Sequence, residues 1–318
     1  MARSDLIVSL ARAGSQGDNV AFRRTLEALV ADERGRQHTV LADQLASLLG
    51  QNGAAKPAAA LSPESPLFEV HPKRLLADLV LPDVVQVACA ELIEEQQRSD
   101  LLRSHGLEPR HRVLLAGSPG NGKTALAEAI AGELAVPLLV VRYEAVIGSY
   151  LGETANRLAR LFEQARTRRA VLFFDEFDAI GKERGDAHET GEIKRVVSSL
   201  LLNVDALPSY VVVISATNHS ELLDRAVWRR FQLRLELPRP GRREIVRFIE
   251  GFLERSRLSL GHAPRTLADR LKGLSFAEVE QFCLDIQRRV VLAGPDADAK
   301  AITAERLRQW AARHRVQA

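Results

Sequence analysis

The sequence predicts an α/β fold: a parallel sheet covered by helices on both faces, a small all-helical domain after it, and a short helical unit before it. Three observations carry that reading. The apolar runs Val113–Ala116, Leu138–Val141, Val171–Phe174 and Val211–Ile214 are nearly continuous, as strands buried on both faces must be. Helical spacing fills the intervals between them, and that alternation gives a parallel sheet. After Pro238-Arg239-Pro240-Gly241 the strand signal stops and helices take over.

Taken in order, residues 1–50 read as a helical unit. Apolar residues recur at helical spacing at Phe22, Leu26, Leu29 and Val30, then at Val40, Leu41, Leu45, Leu48 and Leu49. So small a unit buries little surface alone, and it is expected to dock a partner. Residues 51–66 are rich in Ala, Pro and Ser with no apolar period, which marks a flexible linker. The α/β unit is expected over residues 67–240. Within it Asp83–Ser104, Glu153–Arg168 and Glu192–Asn203 read as helices, and Leu107-Glu108-Pro109-Arg110 turns into the Val113 strand. Residues 241–318 are the expected helical domain.

Composition narrows the class. At 318 residues, 46% hydrophobic and 27% charged, the chain has the make-up of a soluble globular protein with two domains and an appendage. Cys89 and Cys283 lie far apart and offer neither a metal spacing nor a disulfide framework, which favours a reducing cytoplasm. The eight histidines form no H-x-x-x-H pair, so no structural metal is expected. No signal peptide or membrane-spanning run is read in the sequence. The net charge of +3 is local: from Gly241 onward there are 15 Lys and Arg against 10 Asp and Glu. A surplus of that size reads as a solvated helix face rather than a nucleic-acid stripe.

The stretch Gly117-Ser118-Pro119-Gly120-Asn121-Gly122-Lys123-Thr124 joins the first strand to a helix opening at Ala125-Leu126. In that strand–turn–helix context the pattern G-x-x-x-x-G-K-[ST] reads as a phosphate-binding loop, and the unit as a P-loop NTPase. The glycines let backbone N–H groups converge on an anion, and the helix N-terminus adds its positive dipole. Lys123 is expected to reach the β- and γ-phosphates and the Thr124 hydroxyl to ligate Mg²⁺.

Asp175 and Glu176 follow the Val171–Phe174 strand, at the carboxyl edge where open α/β sheets bind ligands. Asp175 is expected to hold Mg²⁺, and Glu176 to polarise the water that attacks the γ-phosphorus. Asp178 is read as structural. Asn218, after the Val211–Ile214 strand, is either a turn former or a contact to the γ-phosphate or the attacking water. Arg229 and Arg230 are either surface charge, which the residues alone favour, or a pair aimed at a phosphate.

The order of phosphate loop, Phe174-Asp175-Glu176-Phe177-Asp178, Ala216-Thr217-Asn218 and Leu223-Asp224 to Arg230-Phe231 resembles the AAA clade of AAA+ ATPases. The resemblance covers about Leu67 to the end of the chain. It implies ATP and Mg²⁺ as ligands, an αβα core with a helical lid, and a ring-forming motor, usually a hexamer. By the same resemblance Asn218 takes the sensor role, and Arg230, beside Arg229, is the arginine finger acting on a neighbour. A second finger is often found three residues on, where this chain has Leu233. Asp78-Leu79-Val80-Leu81-Pro82 is similar to the segment lining the adenine site. Gly273-Leu274-Ser275-Phe276-Ala277-Glu278 resembles a lid turn, with Phe276 where a glycine is usual. The nucleotide-binding set so implied is Val80, Leu81, Ser118, Pro119, Gly120, Asn121, Gly122, Lys123, Thr124, Leu126 and Ala277.

Tyr150 and Leu151, before Gly152-Glu153-Thr154, resemble the aromatic–hydrophobic–glycine pore loop of protein-threading rings. A flat amphipathic ring and an aliphatic group grip polypeptide without reading sequence; the residues alone also allow a buried aromatic at a helix start. The expected partners are other copies of the chain and a protein client. The short amino-terminal unit also resembles bacterial ATPases that accompany a subtilisin-like serine protease, in pairs implicated in phage defence. The alternatives are a nucleic-acid-acting loader, which would want a basic stripe or stacking aromatics, and a nucleotide-gated switch with slow turnover.

Overall fold

Four strands form where the apolar runs are densest. They are β2 (Arg112–Ala116), β3 (Leu138–Val141), β4 (Ala170–Phe174) and β5 (Val211–Thr217). Every residue of β4 and β5 is buried, so helices must cover both faces. The computed structural model describes residues 25, 26, 28, 29, 66–142, 151–178, 198–256, 260–294 and 296–316. The chain divides into two compact units, Met1–Pro63 and Glu64–Ala318. Of the first, Thr25, Leu26, Ala28 and Leu29 are described and helical, with Leu26 and Leu29 buried. The remaining calls over residues 1–50, and nearly all of the linker 51–66, lie outside the described residues.

In the second unit the sheet order is β1-β3-β4-β5-β2-β6. The four central strands run parallel, as does β6 (Leu233–Glu236), while β1 (Leu67–Val70) is antiparallel to β3. Neither β1 nor β6 is evident in the sequence. Both are four-residue edge strands, and β6 alternates buried and exposed positions, so neither makes a continuous apolar run. The helix read over Asp83–Ser104 is two helices, α1 (Asp83–Gln97) and α2 (Ser99–Ser104). Arg98 leaves helical geometry at φ −107°, ψ 28° without any proline or glycine to announce it.

Helix α3 (Lys123–Glu133) follows the glycine loop, and α4 (Leu151–Ala165) opens two residues earlier than the sequence suggests. Helix α5 covers described residues 198–205, and α6 is Arg225–Trp228. A core between the sheet and the helices on one face holds Leu92, Leu115, Leu126, Ile130, Phe173 and Ile214 almost fully buried. Four helices follow the sheet: α7 (Arg242–Ser256), α8 (Pro264–Arg270), α9 (Phe276–Ala293) and α10 (Ala299–Val316). They enclose a second core around Ile245, Ile249, Leu267, Phe282 and Ile286. Among the described residues no helix is long and apolar enough to cross a membrane.

Candidate nucleotide site

Strand order brings the chemistry together. β4, β5 and β2 are neighbours, with Phe174 level with Ser215 and Thr217 level with Ala116. Their carboxyl ends therefore deliver Asp175–Glu176, Asn218 and the glycine loop to one crevice.

The loop is shaped by two close approaches. A Cβ on Gly117 (φ +148°) would stand 2.2 Å from the Leu237 carbonyl oxygen, so only glycine lets the loop pass the end of β6. A Cβ on Gly120 (φ +77°) would stand 2.9 Å from Ser275 Oγ, because the N-terminus of α9 rests on the loop. There the Ala277 N–H donates to the Gly120 carbonyl at 3.0 Å. Asn121 is buried and donates from Nδ2 to the Leu237 oxygen at 3.4 Å, so it presents backbone rather than side chain to a ligand.

Lys123 opens α3 with its ammonium turned back over the loop. Nζ donates to the Gly117 carbonyl at 2.6 Å, the Ser118 carbonyl at 3.2 Å and Asn218 Oδ1 at 2.6 Å. An ammonium only donates, so the Asn218 amide is fixed with its oxygen on Lys123 and its NH₂ directed away. Burial pushes Lys123 below the usual lysine range, opposed by the carboxylates of Asp175 and Asp178.

The Thr124 hydroxyl donates to Asp175 Oδ2 at 3.1 Å. Hydroxyl and carboxylate side by side are the hard oxygen donors that suit Mg²⁺. Among the described residues no group of three His, Cys, Asp or Glu side chains is placed to hold a metal. An ion held by Thr124 and Asp175 would take its remaining ligands from phosphate and water.

Glu176 is exposed and adopts φ +47°, a left-handed conformation that costs a non-glycine residue about 1–2 kcal/mol. Both sides hold it there. Its N–H donates to Asp175 Oδ1 at 2.9 Å, and the next N–H, from Phe177, donates to the Ala216 carbonyl at 2.8 Å. Asp178 is buried and accepts from Thr217 Oγ1 at 2.9 Å and the Asn218 N–H at 3.4 Å. It braces the Asn218 turn, the structural part read for it in the sequence.

These groups line a cavity of about 690 Å³, ample for a nucleotide. Val80, Leu81, Pro119, Gly120, Asn121, Gly122, Lys123, Thr124, Asp175, Glu176, Asn218 and Ala277 all border it. Leu126 does not: its side chain is fully buried in the core behind the loop. Ser118, Arg229 and Arg230 do not border it either. Arg230 pairs with Asp205 on α5, and Arg112 Nη1 donates to the same carboxylate at 2.6 Å. Burial, with the Arg230 charge beside it, pushes Arg112 below the usual arginine range. Leu233 pairs with Val113 and is buried, so no second arginine stands there. Tyr150 lies outside the described residues, as does the side chain of Leu151. Phe248, Arg255 and Glu280 also border the cavity and were missed. They come from α7 and α9, two of the helices that follow the sheet, carry no motif, and meet the loop only through tertiary packing.

Residues 113–239 match the family described as ATPase family associated with various cellular activities (AAA). The chain is 36% identical over 302 residues to an uncharacterized AAA family ATPase, y4kL, of Sinorhizobium fredii, covering 92% of this chain and 90% of that one. This chain belongs to the AAA family of ATPases. It binds ATP and hydrolyses it. A putative 26S proteasome regulatory subunit homolog of Methanothermobacter marburgensis is 34% identical over 213 residues, 64% of this chain and 56% of that one. ATP-dependent zinc metalloprotease FtsH 3 of Sphaerobacter thermophilus is 34% identical over 239 residues, 68% of this chain and 49% of that one. The chain thus spans about half the length of these last two.

Proposed function

We propose that this ATPase is one subunit of a homo-oligomeric ring, a hexamer by family habit, that hydrolyses ATP between subunits and uses the cycle to remodel a protein client. The observation carrying this reading is where Arg230 stands. β2 and β6 run parallel, with Val113 beside Leu233 and Ala116 beside Glu236. The phosphate loop leaves the carboxyl end of β2, whereas Arg230 sits three residues before β6, at the opposite end of the same pair. An arginine there cannot turn to its own phosphates, so as a finger it serves a neighbour's.

Within one site the roles follow from the contacts. An incoming γ-phosphate takes the place of the acceptors now on Lys123 Nζ, and the Asn218 NH₂ donates to that phosphate or to the attacking water. Thr124 and Asp175 hold Mg²⁺, which when bound neutralises charge developing on the phosphate oxygens. Glu176, solvent-accessible and aimed by its turn, takes the proton of the water as it attacks. Arg230 of the adjacent subunit, with Arg229 beside it, meets the charge on the transferred group.

Relatives named for a proteasome regulatory role and for ATP-dependent proteolysis support a polypeptide client. Tyr150 and Leu151 are the groups proposed to grip it in the pore, and the amino-terminal helices to recruit it in the cytoplasm. A subtilisin-like protease is the partner that the amino-terminal resemblance suggests. The test is light scattering of the Glu176→Gln protein with and without ATP, with affinity capture of what it holds. A nucleotide-dependent ring retaining a protein supports the proposal. A monomer in saturating ATP contradicts it.

A further inference from the structure

We propose that Arg234 is a positioning residue for the arginine turn: bonded to the backbone of Trp228 and stacked on its ring, it sets where Arg229 and Arg230 stand. The role rests on the reading that Arg230 serves a neighbour's site, and it names the residue that aims it.

Helix α6 ends at Trp228 and β6 begins at Leu233, so both arginines lie on a short turn between them. A helix of four residues is too short to hold itself, and its last carbonyls need donors from outside. Inside the turn the Arg230 N–H donates to the Val227 carbonyl at 3.1 Å, and the Phe231 N–H reaches the Trp228 carbonyl only at 3.4 Å. Arg234 supplies the better bond: its Nε donates to that same Trp228 carbonyl at 3.0 Å, as an arginine near a helix C-terminus can. Its guanidinium carbon also lies 5.8 Å from the centre of the Trp228 ring, within cation–π range. One side chain thus grips both the backbone and the ring of the residue just before Arg229.

The far side of the turn is tied to β2. The Gln232 N–H donates to the Arg112 carbonyl at 3.0 Å, and Gln232 Oε1 accepts from the N–H groups of His111 and Arg112 at 2.9 and 3.1 Å. Arg234 stands on the same frame, opposite Leu114 of β2. Arg229 and Arg230 are therefore suspended between Gln232 on one side and the Trp228–Arg234 pair on the other. The strand's alternation turns Leu233 and Leu235 inward and leaves Arg234 exposed. Its removal takes nothing from the core, so a loss of activity there is a loss of aim rather than of fold.

The test combines turnover, calorimetric ATP binding and subunit mixing for Arg234→Ala, Trp228→Ala and Trp228→Phe. Arg234→Ala should keep its ATP affinity and melting temperature while turnover falls by up to about 100-fold, the scale for a catalytic group displaced by about 1 Å. Trp228→Ala should fall with it, and Trp228→Phe, which keeps a ring under the guanidinium, should recover most of the loss. Mixed in equal amounts with Lys123→Ala subunits, Arg234→Ala should regain up to about a quarter of wild-type activity; mixed with Arg230→Ala it should regain none. A merely structural role would not sort the variant into the same complementation group as Arg230. Wild-type turnover in Arg234→Ala would overturn the proposal, as would a parallel loss of ATP affinity, which would make Arg234 a support for the whole subunit. Arg230→Ala mixed with Lys123→Ala is the separate control. No rescue there means that the shared site itself has failed, whereas rescue there with none for Arg234→Ala overturns the positioning role alone.

Discussion

Lys123 spends all three of its ammonium donors on the loop and on Asn218, which makes it the pin that orients Asn218, and in the proposed mechanism those donors pass to the phosphates. Lys123→Ala should therefore weaken ATP binding by roughly a hundredfold or more, the loss of charge-assisted bonds in a partly buried site. Isothermal titration decides it, and unchanged affinity would exclude the role. Glu176→Gln keeps the shape of the turn while removing the proposed base. ATP affinity should persist and turnover should fall on the order of 10²–10⁴-fold, the range for a lost general base. Wild-type turnover would pass the task to another group. A third residue speaks to stability rather than catalysis. His111 is buried, with Nδ1 3.3 Å from the Pro109 carbonyl and Nε2 unpartnered, and burial pushes its imidazole below the usual range. The unfolded chain then takes a proton at higher pH than the folded one, so stability is full above the ordinary imidazole range and declines as pH drops through it. Denaturant midpoints between pH 7.5 and 5 should show that decline, and His111→Gln should flatten it.

At the scale of elements, the site depends on β2, β4 and β5 lying side by side and on β6 ending against the glycine loop. Gly117→Ala drives a Cβ into the Leu237 carbonyl, so the loop or the end of β6 must move. We expect a melting temperature lower by about 5–10 °C, from a strain of a few kcal/mol in a domain of this size. An unchanged melting temperature and ATP affinity would show that the loop has room to spare. The four central strands, the glycine loop and the acids after β4 were legible because each rests on a local pattern: a long apolar run, or residue types at fixed spacing. β1 and β6 were not, since an edge strand of four residues buries one face and leaves no continuous run. The break at Arg98 was not, because the apolar spacing of α1 carries straight through into α2. Nor were Phe248, Arg255 and Glu280, whose approach to the loop is decided by how the lid packs. Arg230 was visible as a residue, but its direction was not. That depends on the register of β6 against β2, which no spacing in the sequence encodes.

At the scale of the whole molecule, in the proposed ring one subunit would hold two halves of different sites. The acids at the end of β4 and the base of Arg230 are joined inside it by a run of rings. Phe174 meets Phe177 at 6.0 Å and Phe177 meets Phe231 at 5.9 Å, both edge to face. Phe177 follows Glu176, and Phe231 follows Arg230. Asp205, meanwhile, holds Arg230 within its own subunit. The central claim is that Arg230 completes a neighbour's site, and mixing subunits tests it most directly. Lys123→Ala protein and Arg230→Ala protein should each hydrolyse little ATP alone. Co-assembled at equal amounts, about a quarter of the interfaces join an intact loop to an intact arginine if mixing in the closed ring is random. ATPase activity should then return to roughly that fraction of wild type, a fraction that does not depend on ring size. Activity that stays at the level of the separate variants at every mixing ratio would contradict a site shared between subunits.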